Sequence, residues 1–151
     1  MRLTLHADYA LRVLMYAGLK GQELVTISEV SERFDISRNH MMKVVYSLGQ
    51  LGYIQTVQGK NGGFRLMRKP SQINVGAVIR DMEEELAVVG CLQHTGFCRI
   101  QPACVLRSAL QEATVAFLGV LDRYSLEDLL RPGRSLAKLI EIDLAPRASN
   151  F

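Results

Sequence analysis

The chain has 151 residues, 48% of them hydrophobic and 22% charged, and carries a formal net charge of +3. That length suggests one domain, or a compact domain with an extension, able to bury a real core. No apolar run approaches the roughly 18 residues that cross a bilayer. "MRLTLHADYALRVLMYAG" is broken by His6, Asp8 and Arg12 and lacks a signal-peptide cleavage pattern, so a cytoplasmic location and no membrane partner are expected.

The charge is unevenly placed. Between Ile36 and Arg80 stand seven basic residues (Arg38, Lys43, Lys60, Arg65, Arg68, Lys69 and Arg80) and no Asp or Glu, while the rest of the chain is net −4. One positive segment on a mildly negative protein suits a face that meets phosphates. A solvated basic face without a partner is the plainer alternative.

In chain order, the first helix is expected over about residues 8–19, with Leu11, Leu14 and Gly18 on one stripe beside Ala10, Val13 and Ala17. Asp8 and Arg12 fall at i and i+4, on a shared face. "TISEVSERF" opens with a Thr26-x-x-Glu29 capping box and continues with Ile27, Val30 and Phe34 at helical spacing. Residues 35–37 leave room for a tight turn only, after which Ser37 can cap "RNHMMKVVYSLGQL". Met41, Val44, Val45, Leu48 and Leu51 form the buried stripe of that helix; Arg38, Asn39, His40, Lys43, Ser47 and Gln50 point elsewhere.

Two helices joined by so short a turn make a helix-turn-helix, whose second helix lies in the major groove with its first turns at base edges. Arg38 and Asn39 lead the helix and can pair with guanine and adenine edges. His40 can read a base, touch phosphate or simply be solvated.

Beyond Gly52 the pattern turns to strands: "YIQTVQ", a tip "GKNGG", and "FRLM", where Phe64 and Leu66 alternate with Arg65 and Met67. Asn61-Gly62-Gly63 supplies the permissive backbone of a hairpin. The glycines lack P-loop spacing and a strand-to-helix setting, which argues against a nucleotide cradle. A hairpin after a recognition helix is a wing, and Lys60, Asn61 and Arg65 are its candidate DNA contacts. The fold class expected is mainly α, with a winged helix-turn-helix over residues 1–80.

A linker helix and loop are expected over 81–104, and all three cysteines lie there, in "GCLQHTGFCRIQPAC". Their spacing, Cys91-x6-Cys98-x5-Cys104, lacks the paired knuckles of structural zinc. Clustered thiols in a reducing compartment more often bind metal or do redox chemistry than form disulfides. Wide gaps on a flexible loop can wrap an iron–sulfur cluster, zinc ranks second, and unligated thiols third. Cys104 falls near the start of a helix, whose dipole favours a thiolate or an anionic cluster.

Pro102 suits the first turn of that helix, the dimerisation element of a segment spanning 102–143. Ala103, Leu106, Leu110, Ala113, Phe117, Val120 and Tyr124 recur at alternating steps of three and four, the seam of a helix that packs on another. It can pack within the chain; pairing with a second copy fits palindromic operators better. "SLED" then caps a short helix, Arg131-Pro132-Gly133 breaks it, "RSLAKLIEI" forms another, and 144–151 is a tail. No paired acid/base constellation or nucleophile triad appears, so an enzyme is not expected.

"LTLHADYALRVLMYA", "SRNHMMKVV", "GKNGGFRL" and the cysteine loop before a long helix resemble, from Met1 to about Ile142, the bacterial winged-helix iron–sulfur regulators. Within them the likeness is to the NsrR group of nitric-oxide-sensing repressors. The related IscR group has a histidine shortly after the third cysteine; here that position is Arg107, so that site is not reproduced. The resemblance implies a homodimer on operator DNA with one [4Fe-4S] cluster per protomer, a [2Fe-2S] cluster or zinc being the alternatives. It implies Cys91, Cys98 and Cys104 as ligands, Asp8 of the partner protomer as the fourth, and Arg12 orienting that carboxylate. His94 rivals Asp8 because it needs no second chain, and His6 is a further possibility. The function implied is a repressor that lets go of its operator when nitric oxide nitrosylates the cluster. Regulation by iron–sulfur or redox status, or a zinc-stabilised DNA-binding protein, are the alternatives.

Overall fold

Thr4 starts the first helix. Its hydroxyl accepts from the Ala7 amide at 3.2 Å, and helix α1 runs Leu5–Lys20, three residues earlier than the apolar stripe suggests. In this computed structural model, which describes residues 2–93 and 96–144, α1 buries Ala7, Ala10, Val13, Leu14, Tyr16 and Ala17. Thr26 and Glu29 cap α2 (Ile27–Phe34) reciprocally, as their spacing requires. Asp35, in the left-handed conformation at φ 52°, ends it. Ser37 then accepts from the His40 amide and starts α3, Arg38–Gln50.

Helix α3 buries Met41, Val44, Val45 and Leu48, but not Leu51, which is 36% exposed. Leu51 is the C-cap, past the last helical turn. Gly52, at φ 72°, reverses the chain there and sends Tyr53 into the core instead.

Strands β1 (Ile54–Val57) and β2 (Gly63–Leu66) pair antiparallel with Ile54 opposite Leu66 and Gln55 opposite Arg65. Val25 adds a bridge on the other side of β2, exchanging two 2.8 Å backbone hydrogen bonds with Phe64. A side chain at Gly63 would run into the Val25 carbonyl oxygen at 2.5 Å, so only glycine lets the wing lie this close.

After a short 3-10 turn (Pro70–Gln72), Asn74 caps α4, Val75–Met82. The helix expected at the start of the 81–104 linker thus lies earlier, and residues 83–89 hold no helix. Helix α5, Val105–Leu121, is long, about 25 Å at 1.5 Å per residue, and buries none of its residues. It begins after Pro102, which sits in a separate 3-10 turn, Gln101–Ala103, with Cys104 as the helix N-cap. Proline fits either turn, since neither needs its missing amide. Ala103 and Tyr124 therefore fall outside the helical seam.

The end of α5 is fastened back to α4. Arg80 donates to both carboxylate oxygens of Asp122 at 2.6 and 2.7 Å, and the Asn74 side chain donates to the Asp122 carbonyl at 2.6 Å. Helix α6 (Leu126–Leu129) opens with a Ser125–Asp128 capping box, and α7 is Arg134–Leu139, ending before the positive-φ residue Glu141. Leu126, Ala137 and Ile142 join one buried cluster with α1, α2, α3, the wing and α4. Residues 145–151, most of the expected tail, lie outside the described residues. No described helix is long and apolar enough to cross a membrane.

Candidate nucleic-acid interface and cysteine loop

The capping by Ser37 fixes where α3 begins, and so which residues meet solvent first. Ser37, Arg38, Asn39, His40 and Lys43 are all exposed, as the helix-turn-helix reading requires. Two residues join them that the sequence reading passed over. Met42 is 50% and Tyr46 68% exposed, on the stripe shared by Asn39 and Lys43. Their signal was present: they sit four residues apart on the side opposite Met41, Val44 and Val45. Apolar side chains left in water on a recognition helix can meet thymine methyl groups.

On the wing, Lys60 and Asn61 stand exposed at the tip. Arg65 is half-buried and donates to its cross-strand neighbour Gln55 at 3.4 Å, leaving its other amino groups free to turn outward. Arg68 donates to the Leu51 carbonyl and lies 5.0 Å over the Tyr53 ring, a cation held at the root of the wing. Among the described residues, none of Arg38, Lys43, Lys60, Arg65, Arg68 and Lys69 is paired with a carboxylate. Arg12, Lys20, Arg33, Arg80 and Arg131 are so paired. Arg80 therefore belongs to the α4–α5 junction, and its guanidinium holds the Asp122 carboxyl below the usual aspartate range. The uncompensated cations mark a surface suited to a polyanion.

The cysteine loop is a chain of tight turns. Gln93 donates to the Gly90 carbonyl at 3.2 Å and Gly96 to the Gln93 carbonyl at 3.0 Å. Gly96 returns so close that a Cβ would collide with the Gly90 carbonyl and approach the Cys91 α-carbon at 3.0 Å. Further on, Gln101 donates to the Cys98 carbonyl at 3.0 Å, and Cys104 to that of Gln101 at 3.4 Å. All three cysteines are half-buried free thiols. As the N-cap of α5, Cys104 offers no capping hydrogen bond, which leaves the first amides of the helix without a side-chain partner.

The chemistry of this donor set suits a soft metal centre: three sulfurs on one folded loop, the last of them, Cys104, at the positive end of a helix. The described residues of one chain do not bring three Cys, His, Asp or Glu side chains together at metal-binding distance. Asp8 lies elsewhere, in the first turn of α1, paired with Arg12 at 2.8 Å. His94, its rival as fourth donor, lies outside the described residues. His6 is engaged with Ser47 Oγ at 3.2 Å.

Of the expected dimer seam, Leu106, Ala113 and Val120 are exposed, whereas Leu110 and Phe117 are half-buried. The outer face of α5 extends to Val105, 81% exposed, and Val115. Arg107, on the inner side, has its Nε shielded from solvent with no hydrogen-bond partner.

Fold and surface together define a winged-helix DNA-binding transcriptional regulator. The Rrf2 family, iron-dependent transcriptional regulators, matches residues 3–132, and the chain belongs to it. It is 48% identical over 143 residues to the HTH-type transcriptional regulator NsrR of Geobacillus kaustophilus, covering 93% of this chain and 97% of that one. It is 43% identical to NsrR of Bacillus subtilis, over 94% and 99% of the two chains. These relatives are regulators rather than enzymes. Among solved structures, T. potens IscR superposes with a TM-score of 0.71 at 22% identity over 90% of both chains. CymR, the global cysteine regulator of B. subtilis, gives 0.67 at 20% over 87% of this chain and 98% of the other, which extends the likeness of fold.

Proposed function

We propose that the chain is a cytoplasmic, homodimeric repressor that reads nitric oxide through a [4Fe-4S] cluster and releases its operator in response. The observation that carries this reading is the loop itself: three half-buried free thiols ending at the uncapped amides of α5. Kinship with NsrR regulators supports it. Cys91, Cys98 and Cys104 would hold the cluster, and Asp8 of the partner protomer would complete it. The exposed apolar face of α5 supports a second copy as the dimer partner.

When bound, the cluster supplies an iron able to take up nitric oxide. The chain's own part is mechanical. A carboxylate is a hard donor among soft ones, so Asp8 is the ligand most readily surrendered. Once released, its carboxylate has Arg12 waiting one turn away. That exchange unties the sensor loop of one protomer from the DNA-reading domain of the other, and the two recognition helices lose their fixed spacing. Typical allosteric couplings, about 1–3 kcal/mol or roughly 5–150-fold in affinity, suffice to empty an operator.

Anaerobic reconstitution with iron and sulfide tests this directly. The expected product is coloured, binds a promoter duplex, and releases it on titration with nitric oxide. A colourless protein that binds and releases DNA all the same would mean zinc or bare thiols, and the reading would fail.

A further inference from the structure

Helices α2 and α6 show how this chain uses the first turn of a helix. The N-cap and the residue three positions on meet there. Thr26 and Glu29 each bond the other's backbone amide, and the Ser125 hydroxyl donates to the Asp128 carboxylate at 2.8 Å. Helix α5 puts a thiol and a cation at the same two stations, Cys104 at the N-cap and Arg107 three residues later. No capping bond forms between them.

Arg107 has no partner of its own. Its Nε is cut off from solvent, and of the shielded side-chain nitrogens among the described residues it is the one without a hydrogen bond. Among the described residues no carboxylate pairs with its guanidinium. An N–H kept from both water and acceptor is costly in a folded chain. Arg107 lines a cleft between α5 and residues 84–87, and Leu92, next to Cys91, lines the same cleft. Glu84 and Glu85 border it too, both exposed. The 3-10 turn that carries Cys91, Gly90–Leu92, packs on α5. Arg107 thus borders both the turn of Cys91 and the cap formed by Cys104.

We propose that Arg107 is the counter-cation of the metal centre, donating to the cysteine sulfurs when the centre is loaded. The inference rests on the function proposed above, in which those sulfurs hold a cluster. Three thiolates and a carboxylate outweigh the positive charge of an iron–sulfur core, so the loaded site is anionic. A guanidinium in the first turn adds its charge to the positive end of α5, and the sulfurs give its N–H groups an acceptor. In the cluster-free chain the same cation only weighs against the fold.

The test sets loaded and cluster-free protein side by side. In Arg107→Met, the loaded centre should bleach about 10- to 150-fold faster with a ferrous chelator under argon, the equivalent of one hydrogen bond to a charged group. The urea midpoint of the cluster-free variant should equal or exceed that of wild type, because the orphaned N–H is gone. Arg107→Lys, which keeps the charge, should bleach more slowly than Arg107→Met. A packing residue would weaken both forms on truncation, and that result would overturn the proposal. Bleaching of Arg107→Met at the wild-type rate would overturn it too. If Glu84→Gln combined with Glu85→Gln speeds bleaching as Arg107→Met does, the partner is a carboxylate at the cleft's edge, and the counter-cation falls. A wild-type protein that takes up no iron and sulfide would instead sink the underlying function, and the counter-cation with it.

Discussion

Arg12 holds the carboxylate of Asp8 at 2.8 Å across one turn of α1, and both side chains remain about two-fifths exposed. An exposed pair of this kind is worth roughly 0–1 kcal/mol, so a stronger ligand can take the carboxylate away. Asp8→Ala should therefore leave the fold intact while the three cysteines still assemble a coloured centre. That centre should bleach faster than wild type when challenged with a chelator under argon, followed at visible wavelengths. An unaltered bleaching rate and nitric-oxide response would remove Asp8 from the mechanism.

The wing and the recognition helix should answer differently to truncation. Lys60 stands exposed at the tip, and in the proposed function its partner is phosphate. Lys60→Ala should weaken binding to all duplexes alike and lower the salt dependence by about one unit of slope. Arg38→Ala should cost about 1–3 kcal/mol on the selected operator and relax preference at one position. Anisotropy titrations at several salt concentrations separate the two behaviours.

Met42 is exposed on the reading face with no polar group to offer. Its expected partner is a thymine methyl. Replacing thymine by deoxyuridine at single operator positions should weaken wild type at one of them and leave Met42→Ala indifferent there. If no position distinguishes the two proteins, Met42 does not read the methyl group.

Tyr16 and Glu29 tie α1 to α2 with a 2.7 Å hydrogen bond from the phenol to the carboxylate. Burial pushes the Tyr16 hydroxyl up from 10.0 to about 12, reinforced by Glu29. Burial opposes ionisation of Glu29, but the bonds from Tyr16 and the Thr26 amide, with the Lys20 charge, outweigh it and hold the carboxyl below 4.5. A lowered acid stabilises the fold above its unfolded value and loses that contribution as pH falls through its folded one. A raised phenol stabilises below its unfolded value and loses that as pH rises. Urea midpoints should thus decline below pH 4.5 and again between pH 10 and 12. Tyr16→Phe should flatten the alkaline decline and, by removing a bond that lowers the Glu29 carboxyl, shrink the acid one as well.

Gly63 lies against the Val25 carbonyl with no room for a side chain. Gly63→Ala must push the wing off its bridge to Val25, which overpacking costs put at about 1–3 kcal/mol in urea unfolding.

Much of this architecture was legible in the amino-acid order. The Thr26–Glu29 box, the Ser37 cap and the alternation at Phe64 and Arg65 are local signals that tertiary packing had no reason to override. The limits of α5 were less so: Pro102 serves a 3-10 turn as well as an α-helix, and Leu51 continues a helical stripe one residue after the helix has ended. Met42 and Tyr46 were overlooked because apolar residues on a helix are ordinarily core. The links of His6 to Ser47 and of Tyr9 to His40 span about 30 to 40 positions and leave no trace in any periodic pattern.

Leu126, Ala137 and Ile142 share their burial with Val13 and Leu14, so the two ends of the polypeptide fasten on each other like a clasp. A protease nicking the exposed bend around Phe97 would sever the covalent thread without freeing the reading head from its carboxyl-terminal cover. The fragments should travel together through gel filtration and separate only when the shared interior is melted.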